Sequence, residues 1–453
     1  MSALRRNSPA PPVRLVHLGL GSFSRAHQAW YTARAPDAAD WGIAAFTGRR
    51  PDLAEALAAQ DGLYTLVTRS AAGDDFSEIG SIASAHTAAD GDAWLRHLAA
   101  PEVAAVTLTV TEAGYLRNST GRLDLTDPGV AADVAALRGG SGSVTTAPGR
   151  LVAGLLARRR ADAGPLALVP CDNLPDNGRA LRTVVEDLAA VVDPALRDWM
   201  ADQVTYATSM VDRITPAPTD DDRRTVLAAT GVTDACPVVT EPFSEWVLSG
   251  DFPAGRPRWN AAGAVLTTDV GPYEERKLWL LNAAHSILAY AGSLRGHATV
   301  ADAIADPASR AEVEDWWNTC GPHLRLPADE VAGYRAALLQ RFANPRIRHA
   351  LAQIAADGSQ KLPVRFLPVL RRERAAGRLP DAAVAVLAAW MLHLRGAGAP
   401  VADVRAGELV PLAEGPLPDV VPRLLAALAT DLPDDAGLVA AVRARGTELS
   451  ARY

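Results

Sequence analysis

The sequence predicts an α/β domain followed by a mostly α-helical one, and three observations carry that prediction. An apolar run, Val13 to Leu18 (VRLVHL), leads directly into a glycine turn, GLGSF from Gly19, and then into a stretch with helical character from about Phe23. Short apolar runs that end in polar clusters recur through the first half, as strands buried on both faces do. From Pro272 onward amphipathic Ala/Leu/Arg-rich segments replace them, broken by Gly or Pro near Gly292, Pro307, Pro327, Pro345, Gly358, Pro363, Pro380 and Pro400. These read as roughly ten helices with no repeat period.

A strand, a glycine turn and a helix in succession open a Rossmann-like dinucleotide-binding unit, because glycines let the backbone approach a pyrophosphate at a helix N-terminus. Gly19 and Gly21 are in place, but Ser24 stands where the third glycine of GxGxxG would be. Gly19, Gly21, Ser22 and Phe23 are therefore candidate cofactor contacts. The expected organisation is an arm over residues 1–12, disordered because of Pro9, Pro11 and Pro12, a Rossmann-like NAD(P)-binding domain over 13–262, and a helical substrate domain over 263–453.

Composition narrows the function classes. A net charge of −7 over 453 residues leaves no basic stripe for nucleic acid, and the densest basic run, Arg158 to Arg160, reads as a solvated helix end. Three scattered cysteines, Cys171, Cys236 and Cys320, supply neither a disulfide framework nor a CxxC metal site, and a reducing, cytoplasmic setting fits them. The first residues lack the apolar run of a signal peptide, and no later stretch gives 18 uninterrupted apolar residues, so no membrane association is expected.

In chain order, Gly42 to Phe46 reads as the second strand. After it stand Thr47, Gly48, Arg49 and Arg50 rather than an acidic residue, so Arg49 is a candidate for the adenosine end and the choice between NAD and NADP stays open. Asp61 to Arg69 and Ser77 to His86 read as a strand pair decorating the sheet. Val106 to Val110 is a buried strand whose end carries Thr111 and Glu112, expected to face the cofactor. Arg150 to Ala161 reads as a helix, and Pro165 to Pro170 as a strand ending in Cys171, Asp172 and Asn173. Turn chemistry accounts for Asn177-Gly178, whereas Asn173, in a chain with eight asparagines, asks for another reason. Ser209 to Pro216 and Val239 to Trp246 complete the first half with loops and short strands.

The stretch Tyr273 to His285, YEERKLWLLNAAH, holds one of two lysines among 45 basic residues; Lys361 is the other. Arginine does not release a proton near neutral pH, whereas a desolvated lysine does, so a lysine retained against 43 arginines points to proton chemistry. Counted at 100° per residue, Glu274, Lys277, Asn282 and His285 share an arc of about 140° on one helix face. Beside a nicotinamide, Lys277 would serve as acid in ketone reduction and base in alcohol oxidation. Asn173 and Asn282 would stabilise the developing alkoxide, His285 would orient substrate or lysine, and Glu274 would relay protons or simply neutralise the lysine. Lys277 as a Schiff-base nucleophile is disfavoured by the redox turn. A zinc dehydrogenase is disfavoured by three isolated cysteines and nine scattered histidines, so no metal is expected.

These motifs resemble the mannitol dehydrogenase and fructuronate reductase family of polyol-specific long-chain dehydrogenases. The resemblance runs through HLGLGSFSRAHQAWYT, TVTEAGY, PCDNLPDNG, SMVDRITP, K-x4-N-x2-H and DGSQKLP, nearly the whole chain after the arm. It implies a lysine acid/base at Lys277, an oxyanion pocket of Asn173 and Asn282, no metal, and a helical second domain. It also implies substrate contacts from His285 and Lys361, with Asp212 and Arg213 of SMVDRITP in the site. Mannitol-type enzymes carry an arginine eight residues before the second lysine, where this chain has Gln353. NPRIRHALAQIAADGSQKLP looks closer to the hexuronate-reducing branch, where Lys361 or one of Arg346 and Arg348 would meet the substrate carboxylate, a surface position being favoured for the two arginines. The resemblance thus implies reduction of a keto-hexuronate such as D-fructuronate to D-mannonate, with mannitol 2-dehydrogenase or a related polyol dehydrogenase as the alternative and a non-catalytic nucleotide sensor as a distant one. It further implies a sugar acid or polyol as partner and a monomer or weak homo-oligomer.

Overall fold

The computed structural model describes residues 2–48, 50–140 and 142–452. They form two compact units, the first ending at Gly271 and the second beginning at Pro272.

In the first unit six strands build one parallel sheet: β1 (Val13–Leu18), β2 (Gly42–Phe46), β3 (Ile82–His86), β4 (Ala105–Leu108), β5 (Leu166–Pro170) and β6 (Val204–Tyr206). Their spatial order is β3-β2-β1-β4-β5-β6, all neighbours parallel. This is the Rossmann order, which reverses between β1 and β4 and gathers ligands beyond the strands' C-terminal ends at that point. Strand side chains alternate between two cores. Val16, Leu18, Val106, Leu108, Leu166 and Leu168 face helices Gly91–Leu98, Ala147–Arg160 and Asn177–Val192, while Leu15, Ile43, Ala45, Ala105, Ala167 and Val169 face the other side. Burial on both faces is why these runs are continuously apolar in sequence.

Three expectations change. The run Ser77 to His86 is not one strand: Asp74–Ile79 pairs antiparallel with Tyr64–Arg69 in a satellite sheet, whereas Ile82–His86 is the edge of the main sheet. Gly80 and Ser81 separate the two, and apolar spacing alone does not reveal that break.

Arg158 is not solvated. It is fully buried, and its guanidinium donates to the carbonyls of Leu98, Ala100, Val103, Ala163, Gly164 and Pro165. Burial lowers its pKa to about 10, which still leaves it charged at neutral pH. The arm is not disordered at its start either. Ser2–Ala3 pairs with Val232–Thr233, and Arg6 donates to the carbonyls of Asp61, Gly80 and Ile82.

The second unit opens with a continuous helix, 271–294, followed by ten further α-helices among the described residues. Asp381–Leu394 is its central helix, buried at every position from Ala382 to Leu394, which explains a segment that is apolar on all sides. No described helix is long and apolar enough to cross a membrane.

Candidate active site

The glycine turn after β1 is fixed by its surroundings. Gly19 has φ +103°, and a Cβ there would stand 2.0 Å from the Thr109 carbonyl oxygen, so only glycine fits. At Gly21 a Cβ would meet nothing nearer than 3.7 Å, so glycine is not needed for the protein's own packing. The open space lies at the start of helix 22–34, where the first-turn amides of Ser22 and Phe23 have no intrahelical acceptor. Glycine where the protein leaves room, beside unsatisfied amides, fits the pyrophosphate of a dinucleotide. Ser24 caps this turn: the Gly21 amide donates to its hydroxyl at 3.0 Å, and that hydroxyl donates to the Gly21 carbonyl at 3.2 Å. The missing third glycine is thus replaced by a local cap.

Beneath the turn runs an ordered hydrogen-bond chain that the motifs did not reveal. The Thr109 hydroxyl donates to the Gly19 carbonyl at 2.8 Å, so it accepts from His17 Nε2–H at 3.1 Å, and His17 Nδ1 accepts from the Thr107 hydroxyl at 2.8 Å. His17 is buried, and burial pulls its pKa from 6.5 to about 4, against a smaller opposing pull from the Gly19 backbone. A folded pKa below the unfolded one means that the unfolded chain takes up the proton first as pH falls. The neutral histidine therefore contributes fully above about pH 6.5 and loses up to about 3 kcal/mol of stability between there and pH 4. Urea unfolding at pH 7.5, 5.5 and 4.5 should show this loss in the wild type and a shallower loss in His17→Gln; equal slopes would remove His17 from the account.

Helix 22–34 is π-helical over Arg25–Ala29, and side chains hold the distortion. The Arg25 carbonyl accepts from Tyr64 Oη and the Ala26 carbonyl from Arg213. Arg213 also donates to the Glu241 carbonyl and lies 4.4 Å over the Trp30 ring. It is buried, and desolvation lowers its pKa to about 10. The structure thus places Arg213 as a clamp on the first helix, next to buried Asp212 at the end of strand Thr208–Asp212.

Beyond β4, Thr111 and Glu112 are exposed and lead into the turn Glu112–Tyr115. Beyond β5, Asn173 is exposed. Asp172 accepts from Tyr115 Oη at 2.5 Å and from the Leu174 amide at 3.3 Å. Asn177, expected to be a turn residue, is instead fully buried at the first position of helix Asn177–Val192. It exchanges two hydrogen bonds with the Ser209 backbone and donates to the Asp172 carbonyl. At Gly178 a Cβ would lie 2.6 Å from the Ala207 carbonyl oxygen, so this glycine permits the helix to approach the neighbouring strand. Buried polar side chains need partners, which is why an Asn-Gly pair serves packing here. Arg49 lies outside the described residues.

In the second unit, helix 271–294 carries Glu274, Lys277, Asn282 and His285. It is π-helical over Lys277–Asn282, which alters the face drawn from the sequence. The wider i→i+5 turn shifts Asn282 and His285 relative to Glu274 and Lys277, so the arc of about 140° counted at 100° per residue no longer describes this face. Lys277 and His285 are buried, at 9% and 7% exposure, and Glu274 and Asn282 are half-buried.

Side chains from other helices stabilise the π segment by binding its carbonyls. Trp316 and Trp317 Nε1 donate to Trp279 and Leu280 at 2.7 and 2.9 Å, and Arg365 donates to Asn282 at 2.9 Å and to the Ser286 hydroxyl at 2.8 Å. None of these three was legible as a site-shaping residue from its own position.

His285 meets Phe342 at a tilt of 40°, ring centroids 5.0 Å apart, and meets His349 edge-on at the same distance. Burial first, and the Lys361 charge second, lower the His349 pKa. Lys361 Nζ donates to the carbonyls of Ile354 and Ala356 at 3.2 and 2.6 Å. Gln353 is exposed on the short helix Leu351–Ala355, and Arg346 and Arg348 are exposed. Among the described residues no group of three His, Cys, Asp or Glu is arranged to hold a metal ion.

Residues 13–261 match the mannitol dehydrogenase Rossmann domain and residues 269–446 the mannitol dehydrogenase C-terminal domain. D-arabinitol 4-dehydrogenase of Ralstonia nicotianae is 40% identical over 403 residues, 87% of this chain and 85% of that protein. D-mannonate oxidoreductase of Escherichia coli K12 is 38% identical over 398 residues, 84% of this chain and 80% of that protein. The structure of Pseudomonas fluorescens mannitol 2-dehydrogenase, solved with NAD and D-mannitol, superimposes with a TM-score of 0.85 at 34% identity, covering 98% of this chain and 93% of that one. With both domains matched and full-length relatives above 30% identity, the chain belongs to the mannitol dehydrogenase family and is an oxidoreductase acting on secondary alcohols.

Proposed function

We propose that the protein reduces a keto-hexuronate, D-fructuronate to D-mannonate, with NADH, and runs the reverse oxidation with NAD. The observation that carries this choice of substrate is the 344–363 segment, with Gln353 at the position where the resemblance implies an arginine in mannitol-type enzymes. Lys361 then supplies a positive charge for the sugar carboxylate, and His285 and His349 border its hydroxyls. The identity to a D-mannonate oxidoreductase supports the same reading.

When bound, the nicotinamide supplies or accepts the hydride. Lys277, in its ammonium form, gives its proton to the carbonyl oxygen during reduction and, as the amine, takes it back during oxidation. The amides of Asn173 and Asn282 donate to that oxygen as negative charge develops, and Glu274 passes protons between Lys277 and water. Burial of Lys277 favours the neutral form, which is the requirement for a lysine that must cycle. No step calls for a metal.

A polyol reading is supported by the 40% identity to a D-arabinitol 4-dehydrogenase and by the structural match to a mannitol 2-dehydrogenase. The two separate in one assay, NAD(P)H absorbance with fructuronate, tagaturonate, fructose and xylulose. The hexuronate reading expects kcat/KM for fructuronate to exceed that for fructose and xylulose by at least tenfold, with NADH preferred. A preference for fructose or xylulose would replace it with the polyol reading.

A further inference from the structure

We propose that Tyr115 and Asp172 form a clasp that positions Asn173 for turnover, tying the loop after β5 to the turn after β4. The proposal rests on the hydride-transfer reading and assigns these two side chains a part in it.

Asn173 is exposed on its loop, so burial does not set the direction of its amide. An amide that must meet a developing alkoxide needs a fixed direction, because a displacement of about 1 Å in a catalytic group costs on the order of a hundredfold in rate. The residue before it anchors the peptide that carries it. One Asp172 oxygen accepts from the Leu174 amide at 3.3 Å, wrapping the carboxylate around the peptide of residue 173. The other accepts from Tyr115 Oη at 2.5 Å. Tyr115 is 1% exposed and belongs to the core on one face of the sheet, so its hydroxyl is a rigid anchor. Asn177 holds the far side by donating to the Asp172 carbonyl at 3.3 Å while bound to Ser209. The clasp crosses from β4 to β5 at the C-terminal edge of the sheet, where a Rossmann domain gathers its ligands.

The clasp works only while Asp172 is a carboxylate, because both oxygens accept. Burial raises the Asp172 pKa to about 6, Glu112 pushes it further up, and the bonds from Tyr115, Leu174 and Asn177 pull it down. The phenol is raised well above its usual value by burial and by Asp172, with Cys171 adding to the rise and Arg117 opposing it, so Tyr115 remains the donor. As pH falls through about 6, Asp172 takes up a proton and the clasp opens. In ketone reduction the lysine acid limits the rate only on the alkaline side, so an acid limb in that direction reports Asp172.

The test compares wild type with Tyr115→Phe, which keeps the ring and removes the donor. Two readouts are used: kcat for keto-sugar reduction against pH, and hydrogen exchange of the 171–178 segment in the absence of substrate. The clasp predicts that kcat falls at least tenfold while the NADH Kd stays within twofold. It also predicts that the acid limb moves to higher pH, because the carboxylate has lost its donor, and that exchange at Leu174 quickens at least tenfold. In Asp172→Asn the limb disappears. A change in kcat below twofold, an unmoved limb, or unchanged exchange overturns the proposal. Should the wild type reduce none of the panel sugars, the hydride-transfer reading fails instead, and the exchange measurement still decides the clasp.

Discussion

Lys277→Ala should lower kcat by about 10²- to 10⁴-fold while leaving the NADH Kd within twofold of wild type, the range that a positioned acid/base supplies. The proposed role of Lys277 is proton transfer to the sugar oxygen, whereas the pyrophosphate is assigned to the glycine turn, so turnover should fall without nucleotide affinity. Steady-state turnover and fluorescence titration with NADH measure the two quantities separately. Lys277→Arg should be as inactive as Lys277→Ala despite keeping the charge, because a guanidinium does not give up its proton near neutral pH. A small primary amine added to Lys277→Ala should restore part of the rate and leave Lys277→Arg unchanged. Wild-type turnover in either variant would remove Lys277 from the chemistry.

Gly21→Ala should fold normally and lose nucleotide affinity by at least a hundredfold. Its Cβ would meet no atom of the protein closer than 3.7 Å, so stability has no reason to fall. The methyl would occupy the space at the start of helix 22–34 that a pyrophosphate needs. Gly19→Ala is the contrasting case. Its Cβ would stand 2.0 Å from the Thr109 carbonyl, and φ +103° is unfavourable for any side chain, so both stability and binding should fall. Thermal unfolding paired with NADH titration distinguishes the two. A Gly21→Ala variant that binds NADH like wild type would place the pyrophosphate elsewhere.

How much of this was legible in the sequence depends on whether the signal was local. β1, β2 and the glycine turn were plain, because a strand buried on both faces is continuously apolar and a positive-φ turn demands glycine. The retained lysines identified helix 271–294 by composition alone. Arg158 was misread because half of its six carbonyl partners, those of Leu98, Ala100 and Val103, lie 55 to 60 residues away and are brought near only by folding. Asn177-Gly178 was misread because an Asn-Gly pair that permits close packing is identical in sequence to one that makes a turn. The π segments were invisible for a similar reason. A count at 100° per residue assumes an α-helix, and Trp316, Trp317 and Arg365, which hold the carbonyls of 277–282, lie 37 to 83 residues from their acceptors. The arc counted from the sequence therefore does not describe the face of this helix.

On the proposed reading, hydride passes directly between a nicotinamide and a sugar carbon, with Lys277 moving the proton and no metal taking part. The most direct measurement uses NADH carrying deuterium at the transferred position, with the wild-type enzyme pre-treated with a strong chelator and a keto-hexuronate as substrate. The account predicts one deuterium on the new carbinol carbon of each product molecule, at an undiminished rate. Product free of deuterium, or activity lost to the chelator and regained with a divalent cation, would contradict it.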